Sequence, residues 1–183
     1  METPPTETVG GTSLSRPAKT SGLETPPTDE PARGSRQLRN GRVSLPGTFY
    51  FVTSCCEGKR RLFDDANNAR VVLDCLDWLA AHGLLDLHFA VVMPDHVHLV
   101  FELSETRELS AVLKSFKQFT GRRIGTRTEL SGPVWQEGYY DHAIRRAESL
   151  ADIIRYCWFN PVRAGLVKDP SEYRWWRSKC KLE

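Results

Sequence analysis

Apolar residues follow two spacings along most of the chain, and each spacing predicts a type of secondary structure. Alternation places every second side chain on one face of a strand, whereas three- and four-residue spacing places side chains on one face of a helix. Stretches rich in β-branched and aromatic residues predict strands over residues 47–57, 87–93, 96–103 and 134–145. Helical spacing predicts helices over residues 66–83, 107–125 and 149–160.

The order of these elements predicts the fold class. Strand, helix, strand, strand, helix and strand follow one another, which is the βαββαβ order of ferredoxin-like α+β domains. We therefore expect an antiparallel sheet with helices packed on one face and the other face open. The helix over 149–160 follows this unit as an added C-terminal helix.

The first 40 residues lack either spacing. They consist of Thr, Pro, Gly, Ser and mixed charges, and the pentapeptide ETPPT occurs in them twice. Such a segment buries too little apolar surface to offset the entropy cost of ordering it. We therefore predict a disordered tail over residues 1–40 and a single domain over residues 41–183. The arginines of the tail leave two interpretations open, a basic arm beside the domain or a plain solvated tail.

Composition narrows the class of protein without naming a function. The 25 Lys and Arg nearly balance the 23 Asp and Glu, so any surface that binds nucleic acid must be a local one. No apolar run approaches the roughly 20 residues of a membrane span, and no apolar signal-peptide core begins the chain, so we expect a cytoplasmic protein. Five cysteines without a Cys-x-x-Cys pair predict reduced thiols rather than a zinc site built on thiolates.

The stretch VVMPDHVHLVFEL carries two histidines in a strand that is otherwise apolar. His96 and His98 are separated by one residue, so their side chains project from the same face of the strand. Val97 and Leu99 project from the other face. This pattern leaves two interpretations open, a polar face at the surface or two ligands of a metal site.

The predicted C-terminal helix carries a second candidate pair. Tyr156 and Asn160 are four residues apart, so they lie on one face of the helix, one turn from each other. Helix geometry alone favours a structural interpretation, in which the tyrosine lies at the core margin and the asparagine caps the helix before Pro161.

Three stretches together resemble a known family. MPDHVHLV, VWQEGYYDHAIR and YCWFNPVRAGLV resemble, in order and spacing, the REP-associated tyrosine transposases, a branch of the single-tyrosine HUH transposases. In the motif name, U denotes a bulky hydrophobic residue, and His96-Val97-His98 fits it. The resemblance covers roughly residues 40–178.

The resemblance implies a site and a reaction. It implies that His96, His98 and Asn160 bind a divalent metal and that Tyr156, on the added C-terminal helix, is the nucleophile. The implied activity is that of a transposase-like endonuclease, which nicks and rejoins single-stranded or hairpin DNA through a covalent 5′-phosphotyrosine. A ligand set of two imidazoles and one amide oxygen suits Mg²⁺ or Mn²⁺.

Weaker features indicate where DNA would lie. We predict contacts with DNA for Lys114, Lys117, Arg122, Arg123 and Trp135. A solvated helix face explains the cations equally well, and a core position is the more common one for a tryptophan in a strand. The alternative function is a non-catalytic ferredoxin-like module that binds DNA or RNA. A water-activating metallohydrolase is a weaker alternative. The barrel enzymes whose sequences begin with a His-x-His motif need about 250 residues. Whether the protein is a monomer or a homodimer stays open.

Overall fold

The computed structural model describes residues 45, 47–105, 107–145 and 149–182. The predicted tail over residues 1–40 lies outside these residues, so its boundary with the domain stays a prediction.

The described residues form one antiparallel sheet with helices. The strands are β1 (Phe49–Cys55), β2 (Leu85–Met93), β3 (His96–Leu103), β4 (Tyr140–Ala143) and β5 (Trp176–Ser178). The helices are α1 (Ala66–Ala81), α2 (Leu109–Thr128), α3 (Leu150–Trp158) and the single turn α4 (Asn160–Arg163). The strand order is β4-β1-β3-β2-β5, and every pair is antiparallel. The predicted ferredoxin-like α+β fold is confirmed.

Two strands differ from the prediction in extent. β4 occupies only the end of the predicted segment 134–145, because Gly138 at φ 79° interrupts the extended backbone before it. β5 was not predicted, because three residues are too short for a periodic signal. It pairs with the exposed edge of β2 and so completes the sheet.

One face of the sheet packs against α1 and α2. The sheet contributes alternate apolar side chains to this core, namely Tyr50, Val52, Ala90, Val92, Val97, Leu99 and Phe101. Val72 and Leu76 of α1 and Leu113 and Phe116 of α2 fill the layer above them. The expectation that these helices share one face of the sheet is correct.

The opposite face is not fully open, since α3 packs on it. Ile154 and Cys157 form the buried stripe of α3, and they share a second apolar cluster with Phe51, Val91 and Val100 of the sheet. An amphipathic helix must bury such a stripe, and this face was the uncovered one. His96 and His98 project from this same face, on which α3 packs.

None of the helices in the described part of the chain combines the length and the apolar character that a membrane crossing requires.

Phe116 provides a test of the first core. Its side chain is 1% exposed and lies 5.5 Å, centroid to centroid, from the Trp135 ring. Phe116→Ala should lower the free energy of unfolding by about 3–5 kcal/mol, measured by urea denaturation, because it leaves a cavity. The control is Phe119→Ala, because Phe119 lies three residues further along the same helix and is 53% exposed. This substitution should lower the free energy of unfolding by less than about 1 kcal/mol. Equal losses in the two variants would contradict this description of the core.

Candidate active site

The two histidines of β3 converge at their outer nitrogens. The Nε2 atoms of His96 and His98 lie 3.1 Å apart, and the rings meet edge to face. The side chain of His98 is completely buried and stacks on the Phe51 ring, while that of His96 is partly exposed. The pair therefore forms the floor of a site that opens beside His96.

Each histidine is held at its inner nitrogen by a polar partner. His96 Nδ1 lies 2.6 Å from Asp95 Oδ1, and His98 Nδ1 lies 2.8 Å from Thr53 Oγ1 on the adjacent strand. The hydrogen bond from His96 is the main cause that lowers the pKa of Asp95, so this carboxylate accepts and His96 Nδ1 donates. Burial is the main cause that holds the pKa of His98 well below its usual value, and the charges of His96 and Arg163 lower it further.

This arrangement fits a divalent cation. Two nitrogens that bind one metal at about 2.1 Å and at right angles lie about 3 Å apart, close to the separation of the two Nε2 atoms. Metal-binding histidines commonly donate their other ring N–H to a carboxylate or another acceptor, as His96 does to Asp95. When the His96 imidazole is neutral and its proton is on Nδ1, toward Asp95, the lone pair of Nε2 points toward His98. A cation between the rings would satisfy both nitrogens.

Asn160 is a buried residue whose side-chain nitrogen is unpaired within the described part of the chain. It begins α4 directly after α3, is 5% exposed, and its side-chain nitrogen has no hydrogen-bond partner among the described residues. Leaving a buried amide group unpaired costs free energy. The unpaired nitrogen is a donor, so it could bind an acceptor such as a phosphate oxygen. A cation would be bound by the amide oxygen instead.

Tyr156 lies on α3, half-buried against the same apolar cluster that α3 forms with the sheet. The guanidinium of Arg163 lies over its ring, 4.0 Å from the centroid, and the same side chain donates a hydrogen bond to the Tyr156 carbonyl at 2.8 Å. The four residues proposed from the resemblance thus come from two regions, β3 and the α3–α4 segment, that meet on one face of the sheet.

Four further residues border this site, and the sequence assigns none of them a role in it. Asp95 lies in the turn between β2 and β3, and its carboxylate holds His96. Thr53 reaches His98 through strand pairing, which no local pattern reveals. Lys59 ends the turn after β1 at φ 54°, and its ammonium lies 3.6 Å from Cys55 Sγ, beside His96 in the sheet. Arg163 contacts Tyr156.

The structure does not support the DNA contact predicted for Trp135, because this side chain belongs to the core. It is 6% exposed, lies between Phe63 and Phe116, and donates its indole N–H to Thr120 Oγ1 at 2.9 Å. With so little of the side chain exposed, we do not expect a base to stack on this ring. The loose alternation of the predicted strand gave no sign of this, because the burial depends on packing against α2.

The predicted cationic residues of α2 fall into two groups. Lys117 donates to the carbonyls of Gln136 and Gly138 and so fixes the loop before β4. Lys114, Arg122 and Arg123 have exposed side chains. Between α2 and residues 132–139 lies a cavity of about 480 Å³, which Lys114 and Arg122 also line.

A second group of metal-ligand residues lies at the other end of the β2–β3 hairpin. Asp86, His88 and Glu102 present their ligand atoms within 4.8 Å of one another. The ammonium of Lys179 already lies 2.5 Å from the Asp86 carboxylate. This cluster is separate from the His96–His98 pair, and a protein cation already neutralises part of it.

A family model and two related proteins match this chain. Residues 47–157 match the model of a family described as "Transposase IS200 like". The REP-associated tyrosine transposase of Escherichia coli is 29% identical over 84 residues, which are 45% of this chain and 48% of that protein, so the match spans about half of its length. An uncharacterized protein of Haemophilus influenzae is 25% identical over 161 residues, or 71% of this chain and 88% of that protein.

A solved structure shares the fold. It is that of a REP-associated tyrosine transposase bound to a REP hairpin, and it matches with a TM-score of 0.61 at 21% identity. The match covers 74% of this chain and 79% of the other.

Proposed function

The chain belongs to the IS200-like transposase family, and from this premise we propose that it nicks and rejoins single-stranded DNA through a covalent phosphotyrosine. The observation that carries the proposal is the meeting of two imidazole Nε2 atoms, 3.1 Å apart, on the sheet face that α3 and Tyr156 cover. A module that only binds nucleic acid has no need of this arrangement.

His96, His98 and Asn160 would hold the divalent metal, Mg²⁺ or Mn²⁺. When bound, the cation offsets negative charge on the scissile phosphate and aligns the bond to be broken. Asp95 and Thr53 fix the imidazole rings, so that both Nε2 atoms point to one position. The site is therefore arranged before any ligand arrives.

Tyr156 would supply the nucleophile. Its phenol oxygen forms a bond to phosphorus while the bond from phosphorus to the 3′-oxygen breaks; the phenol gives up its proton and the released 3′-oxygen gains one. The product is a 5′-phosphotyrosine and a free 3′-hydroxyl. Because this ester retains the bond energy of the backbone, attack by a 3′-hydroxyl of another strand reverses the step and joins the two.

The proposed substrate is a hairpin with single-stranded flanks. This follows the solved relative that is bound to a REP hairpin, and we extend it to this chain as part of the proposal. Palindromic sequences that flank the gene in its genome are the substrates to synthesise first.

The test uses the full chain with such an oligonucleotide labelled at its 3′ end. In Mg²⁺ or Mn²⁺ we expect a labelled protein–DNA adduct that survives denaturing electrophoresis, and none in EDTA. The 3′ label remains with the tyrosine, whereas a 5′ label should appear on the released fragment. Hairpin binding without cleavage in either metal would refute the proposal and favour the non-catalytic binding module.

The exposed cations of α2 are proposed to contact phosphates. Replacing Lys114, Arg122 and Arg123 together with alanine should weaken hairpin binding and reduce its salt dependence by about 0.7 in the log–log slope for each lost contact. Fluorescence anisotropy at several salt concentrations measures both quantities. Arg70→Ala, which removes an exposed arginine on α1, is the control and should change neither. A triple variant with the wild-type slope would exclude this surface from the DNA interface.

A further inference from the structure

The turn after α3 brings Arg163 back onto Tyr156. The backbone leaves the helix at Phe159, and the separate turn α4 begins at Asn160, followed by Pro161, which has no N–H to donate. Seven residues of straight helix would separate Arg163 from Tyr156 by about 10 Å along the axis. The guanidinium instead lies 4.0 Å from the centre of the phenol ring.

Arg163 makes two contacts with the same residue. Its guanidinium covers the ring, and its Nη2 donates to the Tyr156 carbonyl at 2.8 Å. Together these contacts restrict rotation of the phenol relative to the end of α3.

We propose that Arg163 is the positioning residue of Tyr156: it fixes the orientation of the phenol ring at the end of α3 and places a positive charge against the face of that ring. This inference rests on the proposed function, because it assumes that Tyr156 is the nucleophile. A flat guanidinium suits the task, since it can lie on a ring and hydrogen-bond a carbonyl simultaneously.

A purely structural role is the competing explanation. Arginines near helix ends often satisfy the last carbonyls, and the bond to the Tyr156 carbonyl is of that kind. Arg155 provides a matched control, because it is an exposed arginine on α3 whose guanidinium lies over another ring, Phe159, at 6.0 Å. A structural role alters stability, whereas a positioning role alters the rate of the chemical step in a folded protein.

The experiment compares Arg163→Ala, Arg163→Lys and Arg155→Ala in the full chain. Hairpin affinity is measured by anisotropy, and the rate of adduct formation under single-turnover conditions with saturating DNA. Arg163→Ala should slow adduct formation by about 100-fold, as small misplacements of a reacting group do, with unchanged affinity. Arg163→Lys should recover part of the rate, and millimolar guanidinium should partly rescue Arg163→Ala. Arg155→Ala should match the wild type.

A second measurement reports on the contact without DNA. In protein labelled with 3-fluorotyrosine, the ¹⁹F resonance of Tyr156, assigned from Tyr156→Phe, should move in Arg163→Ala and stay in place in Arg155→Ala. An unmoved resonance, or adduct formation by Arg163→Ala at the wild-type rate, would overturn the inference. So would a rate loss that follows unfolding and that guanidinium does not rescue. Failure of the proposed function is a different result, namely no adduct with the wild type or an adduct with Tyr156→Phe.

Discussion

Tyr156→Phe protein should form no covalent adduct with a hairpin oligonucleotide and should bind it as tightly as the wild type. The substitution removes only the phenol oxygen and keeps the ring that packs on the sheet and lies under Arg163. Removing the nucleophile of a covalent mechanism lowers the rate on the order of 10⁶-fold. The adduct should therefore fall below detection in gel electrophoresis with 3′-labelled DNA.

Tyr140→Phe is the matched control for this experiment. Tyr140 lies on the same sheet face, and it pairs with Thr53, whose hydroxyl is bonded to His98. Among the described tyrosines it is thus a plausible competitor for the role of nucleophile. We expect Tyr140→Phe to form the adduct at a rate near that of the wild type. An adduct retained by Tyr156→Phe and lost by Tyr140→Phe would transfer the role to β4.

The parts of the fold that could be predicted are those with long periodic patterns. Five elements have an apolar pattern long enough to be recognised from their own sequence, namely α1, α2, α3, β2 and β3. β5 has three residues and exists only because the edge of β2 is available to it. The burial of Trp135 depends in the same way on a partner, here Phe116 and Thr120 of α2.

The residues of the candidate site also divide into those that a local sequence pattern reveals and those that only packing brings together. His96 and His98 are visible in the sequence because strand alternation fixes their common face. Tyr156 and Asn160 are suggested by helix spacing and by the family resemblance, but only packing shows that α3 lies on the face from which the histidines project. Thr53 depends on the register between β1 and β3, and Arg163 on a turn that folds α4 back over Tyr156. Neither has a local signal.

His96→Ala should lower adduct formation in Mg²⁺ or Mn²⁺ by about 10³-fold, because a lost metal ligand removes several kcal/mol of charge stabilisation. His96 is preferred to His98 for this test since its side chain is partly exposed, so its removal disturbs the core less. His142→Ala is the control: this histidine pairs with Phe51 on the same sheet face but lies away from the pair. It should react like the wild type.

Direct metal binding separates loss of a ligand from loss of fold. Titration of Mn²⁺, followed by electron paramagnetic resonance, should show one site in the wild type and in His142→Ala, and no site in His96→Ala. Asp95→Asn should weaken Mn²⁺ by about 10–100-fold without abolishing it, because Asp95 holds His96 rather than the cation. Hairpin affinity in EDTA should be the same in all four proteins. Mn²⁺ binding that persists in His96→Ala would place the metal elsewhere, and the Asp86, His88 and Glu102 cluster would then be the next position to test.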